Sequence, residues 1–430
     1  MLIGRIDAIK RTTRKLLYTL TIMTVLLISA IPSMAEINVL YMAQAGYQPD
    51  EYIEMARSFE AETGIKVNIS FENYDDQYEK IVAEAKKPIS KYDVILLDLI
   101  WTAEFGGKYF VLPLDNKLTP AMKKDIAPVI LDAFIYADQI WAMPFLANFH
   151  LFFYNMDYII EAGFSRPPKT LEELEYQMRV MKQKGIIKHP WFDSWREKEV
   201  LVCEYIWLTG AFGGNTFSEK GEPIFNNGPG LKALQFMVNL LDEGSANPMS
   251  LEADELLAKD VFISGDAAFT SNWTFLYAFM NNPEVSNIVG AGKIGFLPVA
   301  EEFYDKYEYY SSSVSGFQGL AIMSNSQHPH EAWQYIRFIT APEVQRTHLE
   351  EMPVWLSIQN DPEVRSIDPV MELKVKELAS VHHRPKLVDY YEVSTIMQKY
   401  IFLALKKKLT PKEALDKAVK EIRKSRGREQ

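Results

Sequence analysis

The chain has 430 residues, 48% of them hydrophobic and 24% charged, with a formal net charge of −11 at pH 7. That composition excludes a disordered or low-complexity chain, and the length suits two lobes around a large core. An acidic surface also argues against nucleic acid and anionic lipid as partners.

The first 35 residues differ from the rest. Arg5, Lys10, Arg11, Arg14 and Lys15 make a basic start, and "LLYTLTIMTVLLISAI" (16–31) is an uncharged apolar run. "SMA" then places small residues at −3 and −1 before Glu36. This is the layout of a cleavable secretory signal peptide cut after Ala35. As a membrane anchor the run falls short of the ~20 residues needed to span. Cleavage removes five basic and one acidic residue, taking the net charge from −11 to −15. Cys203 is the only cysteine, so a lipid-modified N-terminal cysteine and an intramolecular disulfide are both excluded.

"INVLYM" (37–42) reads as a strand, and "DEYIEMARSFEAET" (50–63) as an amphipathic helix. Tyr52, Met55, Ala56 and Phe59 lie on one face of that helix, and Gly64 stops it. "IKVNISFE" (65–72) alternates as a second strand, so the three pieces form a βαβ unit on a parallel sheet. "YDVILLD" (92–98) is almost continuously apolar, as a central strand buried on both faces must be. "HLFFYN" (150–155) is a further strand. Thr170 and Glu173 read as a capping box for a helix that Gly185 closes. Strands follow at "KIGFLPV" (293–299) and "QGLAIM" (318–323). "FISGDAAF" (262–269) reads as strand and turn, and "TFLYAFM" (274–280) as a helix anchored by Phe275, Leu276 and Phe279. The last helix has Thr410 as N-cap, Pro411 at N1 and Glu413 completing the box. The fold class is α/β throughout, in two lobes.

Nothing along the chain announces chemistry. "GAGKIG" (290–295) matches a dinucleotide motif in letters only, because the residues behind it look extended rather than helical. His328 and His330 flank a proline with no third ligand nearby, and His382-His383 is no better placed for a metal. No nucleophile elbow or zinc-protease motif occurs, and the sequence implies no cofactor. Asp98 is different, since it ends a buried strand and open α/β sheets collect ligands at that edge. Trp101 follows it, Asn148 sits at another element junction, and "SGFQGL" sets Phe317 and Gln318 between glycines. Trp273 stands among small polar residues ahead of an apolar run. A carboxylate, amides and flat rings at chain turns suit a sugar, whose hydroxyls take paired hydrogen bonds and whose C–H faces take a ring.

At these residues the chain resembles the family 1 extracellular solute-binding proteins, the carbohydrate-binding components of ABC importers, and most of all their trehalose/maltose type. "SFEAETGIKV" resembles the family's first helix-turn-strand, and "YDVILLDLIWTAEFGGKYFVLPLD" its third strand and loop. "MPFLANFHLFFYNMDYIIEAGFSRPPKTLEEL" resembles the crossover between lobes. "FISGDAAFTSNW", "GFQGLAIMSNSQHPHEAWQYIRFITAPEVQ" and "RPKLVDYYEVSTIMQKYIFLALKKKLTPKEALDKA" are similar to the later signatures, in the family's order. The resemblance implies a periplasmic-binding-protein-like fold, with lobe one at 36–146 plus 299–354 and lobe two at 147–298 plus 355–430. It implies a cleft faced by Asp98, Asn148, Trp273, Phe317 and Arg384. The Asn148 position can carry Asp and the Phe317 position often carries Trp in this family. The expected function is capture of a carbohydrate by a monomer, in a periplasm or at a cell surface, and delivery to membrane permease subunits, without catalysis. Two alternatives stay open: the same fold holding a polyamine or peptide, and a secreted glycosidase. The latter needs two carboxylates about 5–10 Å apart, and the sequence offers only Asp98 as a convincing acid.

Overall fold

Alternating apolar residues drive the strand Glu36–Met42 into a parallel pair with Lys66–Glu72, joined by the helix Pro49–Thr63. Gly64 ends that helix in the left-handed conformation, at φ 74°. The structure is a computed structural model describing residues 35–43, 48–304, 311–349 and 351–427; the expected signal peptide, apart from Ala35, lies outside the described residues.

The first sheet has five strands in the order Lys66–Glu72, Glu36–Met42, Val94–Asp98, Gln318–Ile322, Met143–Leu146. Val94–Asp98 is central and wholly buried, as its continuous apolar run requires. Gln318–Ile322 pairs with it antiparallel, and the register sets Gln318 opposite Asp98. The second sheet runs Phe269–Trp273, His150–Asn155, Gly292–Gly295, all antiparallel. Leu151 and Phe153 pack into one hydrophobic core and Phe152 into the other, so that strand separates two cores. Around the second core pack the helices Glu199–Ala211, Gly228–Asp242, Tyr390–Leu405 and Pro411–Ser425.

Three chain segments run side by side between the sheets. Ser313–Val314 pairs parallel with Val381–His382, the Ser315 N–H donates to the His382 carbonyl, and the Gly316 N–H donates to the Asn148 carbonyl. Residues just beyond 354, assigned to lobe two from the sequence, are tied to the first lobe. The Ser357 N–H donates to Asp125 at 2.9 Å, and Trp355 Nε1 donates to the Thr340 carbonyl at 2.7 Å.

Local signals account for most element ends, with three differences. Thr170 caps the helix Leu171–Gln183, but Glu173 does not complete a box. Arg166 and the Lys169 N–H, both outside the helix, hold its carboxylate instead. The strand expected at 293–299 is Gly292–Gly295, ending before Pro298, which cannot donate to a ladder. "FISG" is the end of the helix Glu255–Ser264, with Gly265 at φ 92° as its stop, and the strand begins only at Phe269. The "GAGKIG" match contributes its last four residues to a strand.

The second lobe buries several carboxyls. Ser271 Oγ lies 2.6 Å from Glu204 and 3.0 Å from Asp193, and burial raises the pKa of both, that of Asp193 to about 7. Burial also raises Glu377 to about 8, against a hydrogen bond from Ser311 of 2.7 Å that pulls it down. A carboxyl with a raised folded pKa binds more protons folded than unfolded, so its contribution to stability falls as pH rises. His150 and His383, lowered by burial to about 3 and 4, act in the opposite sense but are neutral in both states above their ordinary value of 6.5. The melting temperature should therefore fall between pH 6.5 and 8.5. Glu377→Gln, which keeps an oxygen for Ser311, should make that fall smaller. An identical pH profile for variant and wild type would show that Glu377 is not held protonated.

Candidate functional site

A cavity of about 350 Å³ opens where the first sheet's strand ends face the second lobe. Its floor is an ionic bridge. Arg384, in the third crossing segment, donates from Nη2 to Asp98 Oδ1 at 2.8 Å and from Nη1 to Glu199 Oε1 at 3.0 Å. Arg384 and Asp98 each keep only 2% of their side-chain exposure. Asp98 also accepts from the Tyr74 hydroxyl at 3.1 Å and from the Ile100 N–H at 3.2 Å, so it caps the following turn as well as pairing. Glu199, at the start of its helix, accepts from the hydroxyls of Tyr390 and Ser394. Burial works against the charge of Arg384, but Asp98, followed by Cys203, Tyr74 and Glu199, more than reverses this and leaves its pKa raised. Its Nε is buried with no acceptor among the described residues.

Above the floor, amides join the two lobes. Asn148 Nδ2 donates to Gln318 Oε1 at 3.3 Å, and Thr274 Oγ1 donates to Asn148 Oδ1 at 3.1 Å. Asn148, Gln318, Asp98, Arg384 and Trp273 all line the cavity. Trp273 is the last residue of its strand, and it is half-buried. The His150 ring meets the indole edge-on at 4.1 Å. A Cβ at position 316 would come within 2.6 Å of the indole, so glycine is what lets the ring lie against this crossing segment.

Trp101 and Phe317, expected at the site, are not part of the lining. Trp101 is a layer behind, stacked on Tyr74 with centroids 5.9 Å apart, and Tyr74 is the ring that reaches the cavity. Phe317 is fully buried against His383, because alternation along the strand turns Gly316 and Gln318 to the cavity and their neighbour inward. Phe275 and Phe279, expected as helix anchors, are half-buried and line the cavity, whereas Leu276 and Met280 anchor the helix.

The rim is charged. Lys198 pairs with Asp75 across the lobes at 3.0 Å, and Arg196 pairs with Asp254 at 3.3 Å. Glu255 also lines the cavity; burial, Asp254 and Asp75 raise its pKa, opposed by its own backbone and Arg196. Cys203 lines it too, but burial pushes the thiol pKa well above its ordinary value, so it is no ready nucleophile. Glu199, Glu255 and Tyr74 were missed in the sequence. Glu199 and Glu204 are the carboxylates of an otherwise apolar helix, an anomaly that could have marked them. Among the described residues no group of three His, Cys, Asp or Glu side chains could hold a metal ion.

The profile of the family described as bacterial extracellular solute-binding protein matches residues 42–346. A "Probable ABC transporter-binding protein" of Deinococcus radiodurans is 25% identical over 79% of this chain and 81% of its own length. A maltotriose-binding protein of Pyrococcus abyssi is 24% identical over 63% of this chain and 57% of its own. Among solved structures, maltose-bound MalE3 of T. maritima superposes with a TM-score of 0.81 at 23% identity, covering 90% of this chain and 99% of that one. At that identity the likeness speaks for the fold: two α/β lobes with a cleft between them.

The floor and the rim should differ in stability. Removing one partner of a buried pair strands a charge at a cost of about 3 kcal/mol, whereas an exposed pair contributes less than ~1 kcal/mol. Urea denaturation should thus show Asp98→Ala strongly destabilised and Asp75→Ala nearly unchanged. Equal losses would mean that Arg384 is adequately held without Asp98.

Proposed function

The chain belongs to the bacterial extracellular solute-binding proteins, and we propose that it captures a carbohydrate outside the cytoplasm and hands it to the permease of an ABC importer. The observation that carries this reading is the lining itself. Above the paired Asp98 and Arg384, Asn148 and Gln318 present amide hydrogen-bonding groups on the same wall as Trp273. Vicinal hydroxyls need the first and a sugar's C–H face needs the second. The ligands named for the similar proteins support the same class.

Capture works by closure. The first sheet and the second lobe each contribute part of the wall, so a ligand touching both favours the closed arrangement over the open one. The three crossing segments are the hinge. We assign 36–146 with 299 to about 361 to lobe one, because Arg346 binds Asp361 and Ser357 binds Asp125. Lobe two takes 147–298 and the C-terminal helices. The protein acts as an exported monomer, released by cleavage after Ala35, in a periplasm or at a cell surface. No helix among the described residues is long and apolar enough to cross a membrane. Catalysis is not part of the reading: Asp98 and Glu199 are both engaged by the one Arg384 guanidinium rather than set on opposite sides of an open space for a sugar.

Calorimetry with neutral and aminated mono- and disaccharides tests the reading. A sugar should bind, and Trp273→Ala should weaken it by roughly tenfold or more, since stacking contributes on the order of 1 kcal/mol beyond the area covered. The unliganded melting temperature should change little. Small-angle scattering should show compaction at saturating sugar. Binding of peptides or polyamines to the exclusion of sugars, or the release of shortened sugar products, would overturn the proposal.

A further inference from the structure

We propose that the sugar held in this cavity carries a positively charged amine, an inference that rests on the carbohydrate reading above and sharpens it. It follows from the charge inventory of the wall. The carboxylates are Asp75, Asp98, Glu199, Asp254, Glu255 and Glu351, and the cations are Arg196, Lys198 and Arg384. Every cation is engaged: Arg384 by Asp98 and Glu199, Lys198 by Asp75, and Arg196 by Asp254. Nearby Lys259 is turned to Asp260 at 2.8 Å and to the ring of Phe279 at 4.5 Å. Among the described residues each cation of the wall already has a carboxylate partner, so a uronic acid or a sugar phosphate would have to compete with that partner and would meet a wall of net negative charge.

Glu255 has the opposite surplus. Among the described residues no Lys or Arg side chain forms an ion pair or hydrogen bond with its carboxylate. The charges it feels are Asp254 and Asp75, which repel it, and Arg196, which is already paired with Asp254. Its place on the wall is fixed. Asn272 Nδ2 donates to the Glu255 backbone carbonyl at 3.0 Å, and Asn272 is the neighbour of Trp273, so the backbone of residue 255 is tied to the strand that carries the indole, and both residues line the cavity. A ligand hydroxyl could donate one hydrogen bond to Glu255 but would leave the like-charge repulsion in place. An ammonium supplies the donor and cancels the repulsion. The aromatic groups beside it, Trp273 and Phe275, suit the C–H face of the same ring.

Matched sugars that differ only by amine for hydroxyl test this by calorimetry on the signal-free chain at low salt. Glucose with glucosamine, galactose with galactosamine, and cellobiose with fully deacetylated chitobiose are suitable pairs. In the pair that binds, the amine should be favoured roughly ten- to hundredfold. Glu255→Gln should erase that preference, weakening the amine far more than its neutral partner. Added salt should narrow the preference. A neutral sugar that binds as tightly as its amine, or a preference that survives in Glu255→Gln, overturns the charge assignment alone. No binding by any sugar of either kind overturns the carbohydrate reading, and this inference with it.

Discussion

The Arg384 guanidinium is the constraint on which the rest of the site depends. It is a cation in the interior, reached from one lobe by Asp98 and from the other by Glu199. A charge at that depth is tolerable only if paired and hydrogen-bonded. That requirement fixes where the strand Val94–Asp98 must end, where the helix Glu199–Ala211 must begin, and where the third crossing segment must pass. The strand edge where α/β sheets collect ligands is thereby held against the second lobe.

The same bridge explains why the cavity mixes apolar rings with so many acids. With Asp98 and Glu199 committed to the floor, polar recognition passes to the amides of Asn148 and Gln318, which already connect across the lobes through Thr274. The flat face comes from Trp273, held between the His150 edge and a glycine that leaves it room. The rim pairs, Lys198 with Asp75 and Arg196 with Asp254, lie in water and contribute little to stability. Their effect is to neutralise cations near the ligand. Glu255 is a wall acid to which this arrangement gives no cation.

The parts of the fold legible in the sequence are those set by local rules. The βαβ opening, the buried central strand and the Thr410 cap each follow from a period or a cap signal within a dozen residues. Asp98 was legible for the same reason, as the polar end of an apolar strand. What the sequence could not convey is direction. Phe317 and Gln318 are neighbours, and only the pleat decides that the amide faces the cavity and the ring the core. Trp101 and Tyr74 are stacked, and only packing decides which of them is in front. Phe275 looked like a helix anchor until the strand before it set the rotation of that helix. Glu199 is far from Asp98 in sequence, so their shared partner is visible only in three dimensions.

The central claim is that the cavity above Arg384 holds a sugar. It is tested most directly by native mass spectrometry of the protein purified gently from cells grown on mixed carbohydrate, followed by identification of whatever is released on denaturation. The account predicts a carbohydrate bound one to one, and a lower occupancy when the protein carries Trp273→Ala. A stoichiometric peptide, lipid or polyamine in its place would contradict it.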